Sequence, residues 1–508
     1  PGIISRLDYL QKLGVGALWL SPVYPSPNKD NGYDISDYCN IHPNYGTLQD
    51  MDTLIAEAKK RDIRIIMDLV INHTSDQHEW FQKSRRRIEP YTDYYIWRKG
   101  EKGKKPTNWG NFFGGDCWEY DDLRGEYYLH LFAKEQPDLN YHNEAVIEAI
   151  EEVMHFWLDR GVAGFRCDVI NIIYKEAIKN GKWRPALTGS EYYLSTPGCH
   201  RVLHRLHEDV LAKYDAFTVG ETVFVTPKMA DDLVNPARGE LSTVFAFEHM
   251  ETDCYKIKWF LRRFSPDRFF VCLTKWQKAL PWNTVYLENH DQPRSVSRYG
   301  NDTKYHDESA KALATLVLTL RGTPFLYEGQ EIGMTNFDFP DMQKVRDVES
   351  INIWNIGKRL HLPRSLRWRM IKTKSRDNAR TPMQWNDSPN AGFTTGTPWL
   401  SVNGNYPCIN AAKQENDPHS VLTYYRQLIA FRNGSEILQT GDFFELYRKD
   451  GVYAYRRSLN VESLIVVISL STKERPNPVS GTVVLSNYGR QESPACLSPY
   501  EALILREV

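Results

Sequence analysis

The 508-residue sequence lacks paired cysteines. Its eight cysteines (Cys39, Cys117, Cys167, Cys199, Cys254, Cys272, Cys408 and Cys496) stand far apart, with no CxxC pair and no zinc-ligand spacing. This excludes a zinc ribbon or a dithiol redox motif. In a chain this long, scattered cysteines read as reduced thiols and predict a cytoplasmic protein. No apolar run approaches the ~20 residues needed to cross a bilayer, so no membrane partner is expected. Net charge is also missing: 63 basic side chains face 64 acidic ones, a balance of -1. Nothing electrostatic therefore points to nucleic acid or an anionic surface. There are no internal repeats or low-complexity tracts. There is no initiating Met either. The chain opens at Pro1 inside a helix-like segment (Ile3, Ile4, Leu7, Leu10, Leu13), so the natural start is expected upstream and a signal peptide stays open.

What is present has ordinary globular proportions, 41% hydrophobic and 25% charged, with room for two or three domains. The 14 Trp and 29 Tyr suit sugar stacking or core packing equally. Short apolar runs alternate with amphipathic stretches. Seven segments read as strands: 17–24, 64–73, 163–170, 216–222, 242–249, 283–291 and 323–331. Between them, Met51, Leu54, Ile55 and Ala58 recur at helical spacing, as do Ile147, Ile150, Met154, Trp157 and Leu158. Such alternation predicts a parallel sheet with helical crossovers. An open doubly wound sheet would satisfy it. A (β/α)8 TIM barrel fits better, because every strand ends in polar or charged residues, and barrels collect reactive groups at those ends. The eighth strand would precede Pro1. Residues 74–140 are long, polar and aromatic, and read as an inserted domain B within a barrel spanning 1–73 and 141–434. From 435 to 508 the helices cease and short strands divided by turn residues predict a C-terminal antiparallel β domain.

The strand "GFRCDVI" (164–170) is the anomaly that points to function. Residues two apart share a face of a strand, so Arg166 and Asp168 enter the same buried space. Burying two charges costs several kcal/mol per ion unless they are paired. Other strands end comparably: "RIIMDLVINH" in Asn72 and His73, "TVGE" in Glu221, and "YLENHD" in Asn289, His290 and Asp291. Each residue alone has a plainer explanation, as a structural histidine, a helix-start acid or a buried ion pair. Four such ends converging on one barrel mouth are harder to attribute to folding, and like charges gathered at a cost usually mark a site. Three carboxylates without a cysteine cluster suit glycoside hydrolysis, which needs one acid and one nucleophile or base. Arg166 would lower the pKa of Asp168, as a nucleophile requires. Glu221, with no adjacent cation in sequence, suits the acid, whose pKa must be raised. A metal site is the rival use, disfavoured because Arg166 would repel a cation.

These residues resemble a known family. "DLVINH", "GFRCDVI", the "GE" of "TVGET" and "ENHD" look like the four signature regions of the α-amylase superfamily, glycoside hydrolase family 13. "QPDLN" (136–140) is similar to a fifth region as it stands in the oligo-1,6-glucosidase branch, and "SPVYPSPNKDNGYDISDY" and "RDNARTPMQW" are similar to that branch too. The resemblance covers essentially the whole chain. It implies a (β/α)8 barrel, an inserted domain B and a C-terminal β-sandwich. It also implies roles: Asp168 as nucleophile, Glu221 as acid/base and Asp291 as third carboxylate. Arg166, His73 and His290 would line the glucose pocket, Asp30 and Arg380 would close it at the non-reducing end, and Tyr33 would stack on the sugar. A closed pocket implies an exo-acting, retaining α-glucosidase.

Val169 follows the nucleophile, and Val there resembles enzymes that prefer α-1,6 bonds, although a β-branched residue also simply suits a strand. The alternatives within the branch are a sucrose isomerase or a trehalose-6-phosphate hydrolase. The isomerases carry an Arg- and Asp-rich pentapeptide where "FEHMETDC" has no Arg, which favours hydrolysis. A non-enzymatic transporter heavy chain of this fold would need a membrane span. Cys167 and Gln330 depart from the residues commoner in relatives. No cofactor is expected for the chemistry. A structural Ca2+ or Mg2+ would depend on an N-terminal loop that the sequence does not include. The expected partner is a small oligosaccharide, and the expected state is a monomer.

Overall fold

The computed structural model describes residues 1–184, 187–255 and 257–507. It divides into two compact units, Pro1–Phe247 and Glu248–Val508.

The first unit is built on five parallel strands that neighbour each other in chain order: Ala17–Leu20, Arg64–Leu69, Gly164–Cys167, Phe217–Glu221 and Thr243–Phe245. Helices cross between them, including Leu48–Lys59, Glu144–Asp159 and Pro197–Asp209. Their starts are written in the sequence. Thr47 and Asp50 form a reciprocal capping box, and Asn143 caps the helix that carries Ile147, Ile150, Met154, Trp157 and Leu158, all buried. Gly164 is obligatory where its strand begins. Its φ is +149°, and a Cβ there would lie 1.9 Å from the carbonyl oxygen of Phe217 on the next strand.

Between the second and third strands the chain leaves this sheet. Within residues 74–140, Trp97–Arg98, Trp118–Asp121 and Glu126–Leu129 make a small antiparallel sheet. Its apolar core is not closed on itself. Ile96, Trp109, Trp118 and Leu129 pack with Val169, Ile172 and Tyr193, which follow the Gly164–Cys167 strand.

The second unit includes the parallel pair Thr284–Val285 and Thr323–Pro324 and the helices Pro266–Ala279 and His306–Thr319. All seven segments read as strands from the sequence therefore contain strands. Its C-terminal part is a five-stranded antiparallel sheet, with a short ribbon of Arg475–Pro476 and Cys496–Leu497. Leu497 of the ribbon joins Val452, Ile465, Val467 and Leu503 of the sheet in one cluster. The helices persist slightly further than the sequence suggested: Glu436–Thr440, capped by Ser435, precedes the first strand of this region. Among the described residues, no helix is long and apolar enough to cross a membrane.

Candidate active site

Strand register assembles the charged cluster of the first unit. Asp68 pairs across the parallel sheet with Arg166, and Arg166 with Val219, so Glu221, two residues on, shares that face. Arg166, 2% exposed, is the hub. Its Nη1 donates to Asp168 at 2.5 Å and to both oxygens of Asp68 at 2.9 and 3.1 Å, and its Nη2 donates to Glu221 at 2.6 Å. The guanidinium lies 5.1 Å from the ring centroid of Trp19 and 5.7 Å from that of Tyr33. Tyr33 also donates its hydroxyl to Asp68. One cation thus serves three carboxylates, two buried and one, Glu221, partly buried.

That count changes two expectations. Arg166 does oppose protonation of Asp168, but burial is the larger effect. The nearby carboxyls of Glu221 and Asp68 add to it, so the Asp168 carboxyl sits well above its ordinary range. Burial likewise pushes Asp68 up to about 6, against Arg166 and the Tyr33 hydroxyl, with Glu221 adding. And Glu221 is not remote from a cation: it holds the second arm of Arg166. Sequence adjacency could not reveal a contact between residues 55 apart.

Val169 departs most from its sequence reading. The strand ends at Cys167, and Val169 stands in the left-handed region at φ 37°, ψ 40°. This conformation is a true outlier for a β-branched residue, so strand propensity does not explain the choice of valine. Its side chain is 5% exposed and packs in the cluster shared with the inserted sheet, while its backbone N–H donates to Glu221 at 3.2 Å.

His73 lies four residues beyond the Arg64–Leu69 strand and is buried. Burial, with Lys175 adding and Asp138 opposing, lowers its pKa to about 4, so it is neutral at physiological pH. Asp30 is buried and accepts from Gln136 Nε2 at 3.2 Å.

In the second unit, Asp291 is the focus of cations. Arg380 Nη2 donates to its Oδ1 at 2.6 Å, Arg376 Nη1 reaches the same oxygen at 3.4 Å, and His290 Nε2 lies 3.4 Å from Oδ2. Burial would raise this carboxyl, but His290, Arg376, Arg380 and Lys258 outweigh it and hold it well below the usual carboxylate range. Arg380 Nε donates to the carbonyl of His290, and Arg380 Nη1 is buried with no protein partner among the described residues. Arg294, fully buried, donates to the carbonyl of Ala379 and so fixes the backbone beside Arg380. Arg376 is held in turn by Asp347 at 2.8 Å. The sequence reading missed Asp68, Lys175, Arg376 and Asp347.

Residues 1–441 match the alpha-amylase catalytic domain family. The chain belongs to the α-amylase family. It is 47% identical to an oligo-1,6-glucosidase of Parageobacillus thermoglucosidasius, over 99% of this chain and 94% of the relative. It is 42% identical to a trehalose-6-phosphate hydrolase of Bacillus subtilis (strain 168), over 99% and 93%. The crystal structure of an isomaltulose synthase from Klebsiella sp. LX3 superposes with a TM-score of 0.95 at 39% identity, covering 99% of this chain and 94% of that one. The fold class is accordingly the (β/α)8 barrel with an inserted domain and a C-terminal antiparallel β-sandwich, and the protein is a glycoside hydrolase.

Proposed function

We propose that this enzyme is an exo-acting, retaining α-glucosidase that releases glucose from the non-reducing ends of short α-glucosides and prefers α-1,6 links, as in isomaltose. The observation that carries the retaining mechanism is the sharing of Arg166 by Asp168 and Glu221. Two carboxyls held on the two arms of one guanidinium suit the close spacing of about 5–5.5 Å that a retaining pair needs rather than the about 6.5–9.5 Å of an inverting one.

In this reading Asp168 attacks the anomeric carbon while Glu221 protonates the departing glycosidic oxygen. Asp168 then carries the glucosyl group as an ester. Glu221, now ionised, takes a proton from water as that water attacks, and α-glucose leaves with both carboxyls restored. The pair needs one proton, on Glu221. Burial raises both Asp168 and Asp68 beside the one cation and keeps a proton in the cluster. Asp291, held ionised, binds sugar hydroxyls and balances the positive charge that develops at the anomeric carbon. Asp30, Tyr33, His73, Arg166, Val169, His290 and Arg380 contact the sugar. Arg380 brings to it the buried Nη1, a donor with no protein partner among the described residues.

No cofactor enters these steps. The partner is a small oligosaccharide and the working form a cytoplasmic monomer. Product analysis on isomaltose, maltose, panose, sucrose and trehalose 6-phosphate, with the first-formed anomer read by proton NMR, tests the assignment. α-Glucose formed fastest from isomaltose and panose is expected. β-Glucose as the first product would refute the mechanism. Preferential turnover of trehalose 6-phosphate would replace the substrate and leave the mechanism intact.

A further inference from the structure

Lys175 is a buried cation that no catalytic step uses. It follows the turn Ile170–Ile172, and its side chain, like that of Asp138, is 0% exposed. Its Nζ lies 2.6 Å from Asp138 Oδ2 and donates to Asn72 Oδ1 at 2.7 Å. Asn72 Nδ2 in turn stands 3.1 Å from His73 Nδ1. On the other side of the imidazole, Gln136 Nε2 lies 3.0 Å from His73 Nε2, and the carbonyl of Tyr33 lies 3.2 Å from the same nitrogen.

Amide orientation and imidazole tautomer are settled by the network that surrounds them. A lysine ammonium has only donors, so Asn72 must present its oxygen to Lys175 and its NH₂ to His73 Nδ1. That nitrogen is then an acceptor. Gln136 is fixed independently: its Oε1 accepts from the Ala133 N–H and its Nε2 donates to Asp30. It too presents an NH₂ to the ring. Both ring nitrogens thus face an amide NH₂, but among the described residues Nε2 alone also has an acceptor, the Tyr33 carbonyl, so the single imidazole proton sits on Nε2 and is given to that carbonyl. A second proton, on Nδ1, would face the N–H of Asn72. The charged groups around the ring are Lys175 and Asp138 through Asn72 and the backbone, and Asp30 through Gln136. Phe132 packs beside it at 5.0 Å.

We propose that Lys175 is a positioning residue for the sugar site: by holding the Asn72 carbonyl it fixes His73 as a neutral imidazole protonated on Nε2. The effect on catalysis rests on the glucosidase reading, but the tautomer does not. The test is a two-bond proton–nitrogen correlation spectrum of the full-length protein labelled with ¹⁵N-histidine, with the His73 signals assigned by their loss in His73→Gln. In the wild type they should show the Nε2–H pattern unchanged from pH 5 to 8. In Lys175→Met, and in Lys175→Met/Asp138→Asn, which removes both buried charges, Asn72 is free to turn. His73 should then show mixed tautomers or titrate above pH 5, and kcat/KM on an aryl α-glucoside should fall about 10-fold or more. Lys175→Arg, which keeps donors facing Asn72, should restore both. An Nδ1–H or charged wild-type His73 at pH 6 would overturn the proposal whether or not any variant folds. So would a folded Lys175→Met whose His73 keeps the wild-type pattern. A correct tautomer in a protein inactive on every glucoside would leave Lys175 as assigned and refute the glucosidase reading.

Discussion

Replacing Arg166 with Met tests the shared-cation site most directly. The guanidinium touches Asp168, Glu221 and Asp68 at 2.5, 2.6 and 2.9 Å. With charge centres ~4 Å apart and an effective dielectric constant near 20, each pair is worth about 4 kcal/mol. One pKa step is about 1.4 kcal/mol, so losing Arg166 should raise Asp168, already held high by burial, by about 2–3 further steps. The ionised form of Asp168, the proposed nucleophile, then becomes scarce at neutral pH. The acid limb of the kcat/KM profile should move up by a similar amount, with a loss of about 10²–10³ at pH 7 that narrows toward pH 9. Arg166→Lys retains a charge but not the fork that reaches three carboxyls, and should shift the limb less.

The same variant makes a statement about stability with a definite sign. A carboxyl whose folded pKa is raised gives stability that is fully present below its unfolded value near 4 and lost as pH rises through the folded value. In the wild type, Asp68 alone, moved from 3.8 to about 6, makes about 3 kcal/mol of difference across that interval. Without Arg166 the window widens upward. The melting temperature of Arg166→Met should therefore lie close to that of the wild type at pH 5 and fall increasingly below it by pH 8. A folded variant with uniformly reduced activity, an acid limb in the wild-type position and a pH-independent drop in Tm would refute the argument.

Glu221→Gln removes the proposed proton donor while keeping shape, and should cost about 10²–10⁴ on isomaltose but less on an aryl glucoside, whose leaving group needs little protonation. Equal losses on both would count against Glu221 as the acid. Arg380→Lys cannot keep both the Asp291 and His290 contacts, so it should lower kcat/KM about 10-fold or more, since hydrogen bonds to charged groups are worth about 1.5–3 kcal/mol. A kinetically silent Arg380→Lys would remove that residue from the site. Val169→Thr keeps β-branching and therefore the same backbone cost, so it isolates the methyl-to-hydroxyl change. The isomaltose-to-maltose ratio of kcat/KM should move toward maltose by about 10-fold, the low end of what a one-group change in a pocket supplies. An unmoved ratio would show that Val169 does not read the linkage.

What the sequence made legible was whatever a single strand carries. Arg166 and Asp168 stood out as charges in an apolar run, and the strand-end rule gathered His73 and Glu221 with them. Asp68 carried the same signal, one charged residue inside "RIIMDLVINH", and was passed over because its partner lies on the next strand in register rather than nearby in sequence. Lys175, Asp347 and Arg376 gave no periodic or strand-end cue. Their roles exist only through contacts with Asn72 and Asp291, residues placed by other parts of the chain. Val169 was misread for a physical reason. Propensity makes valine a strand residue, and here the chain leaves the strand at Cys167 and forces valine into a left-handed turn.

That turn costs about 1–2 kcal/mol for an L-residue, and such strain persists only where the surroundings over-determine it. Two contacts do so here. The side chain is captured by the apolar cluster of the inserted sheet, and the N–H is aimed at Glu221. The strain is therefore tied to the alignment of Asp168 and Glu221, the proposed nucleophile and acid, and the inserted segment's core includes residues that follow Asp168. Val169→Gly should relieve the backbone but release the packing that holds it. The outcome to expect is a protein that folds with the acid less well aligned, so that activity falls more on isomaltose than on an aryl glucoside, the signature already required of Glu221. If Val169→Gly instead lowers both equally, the left-handed turn is a packing feature alone and does not serve the acid.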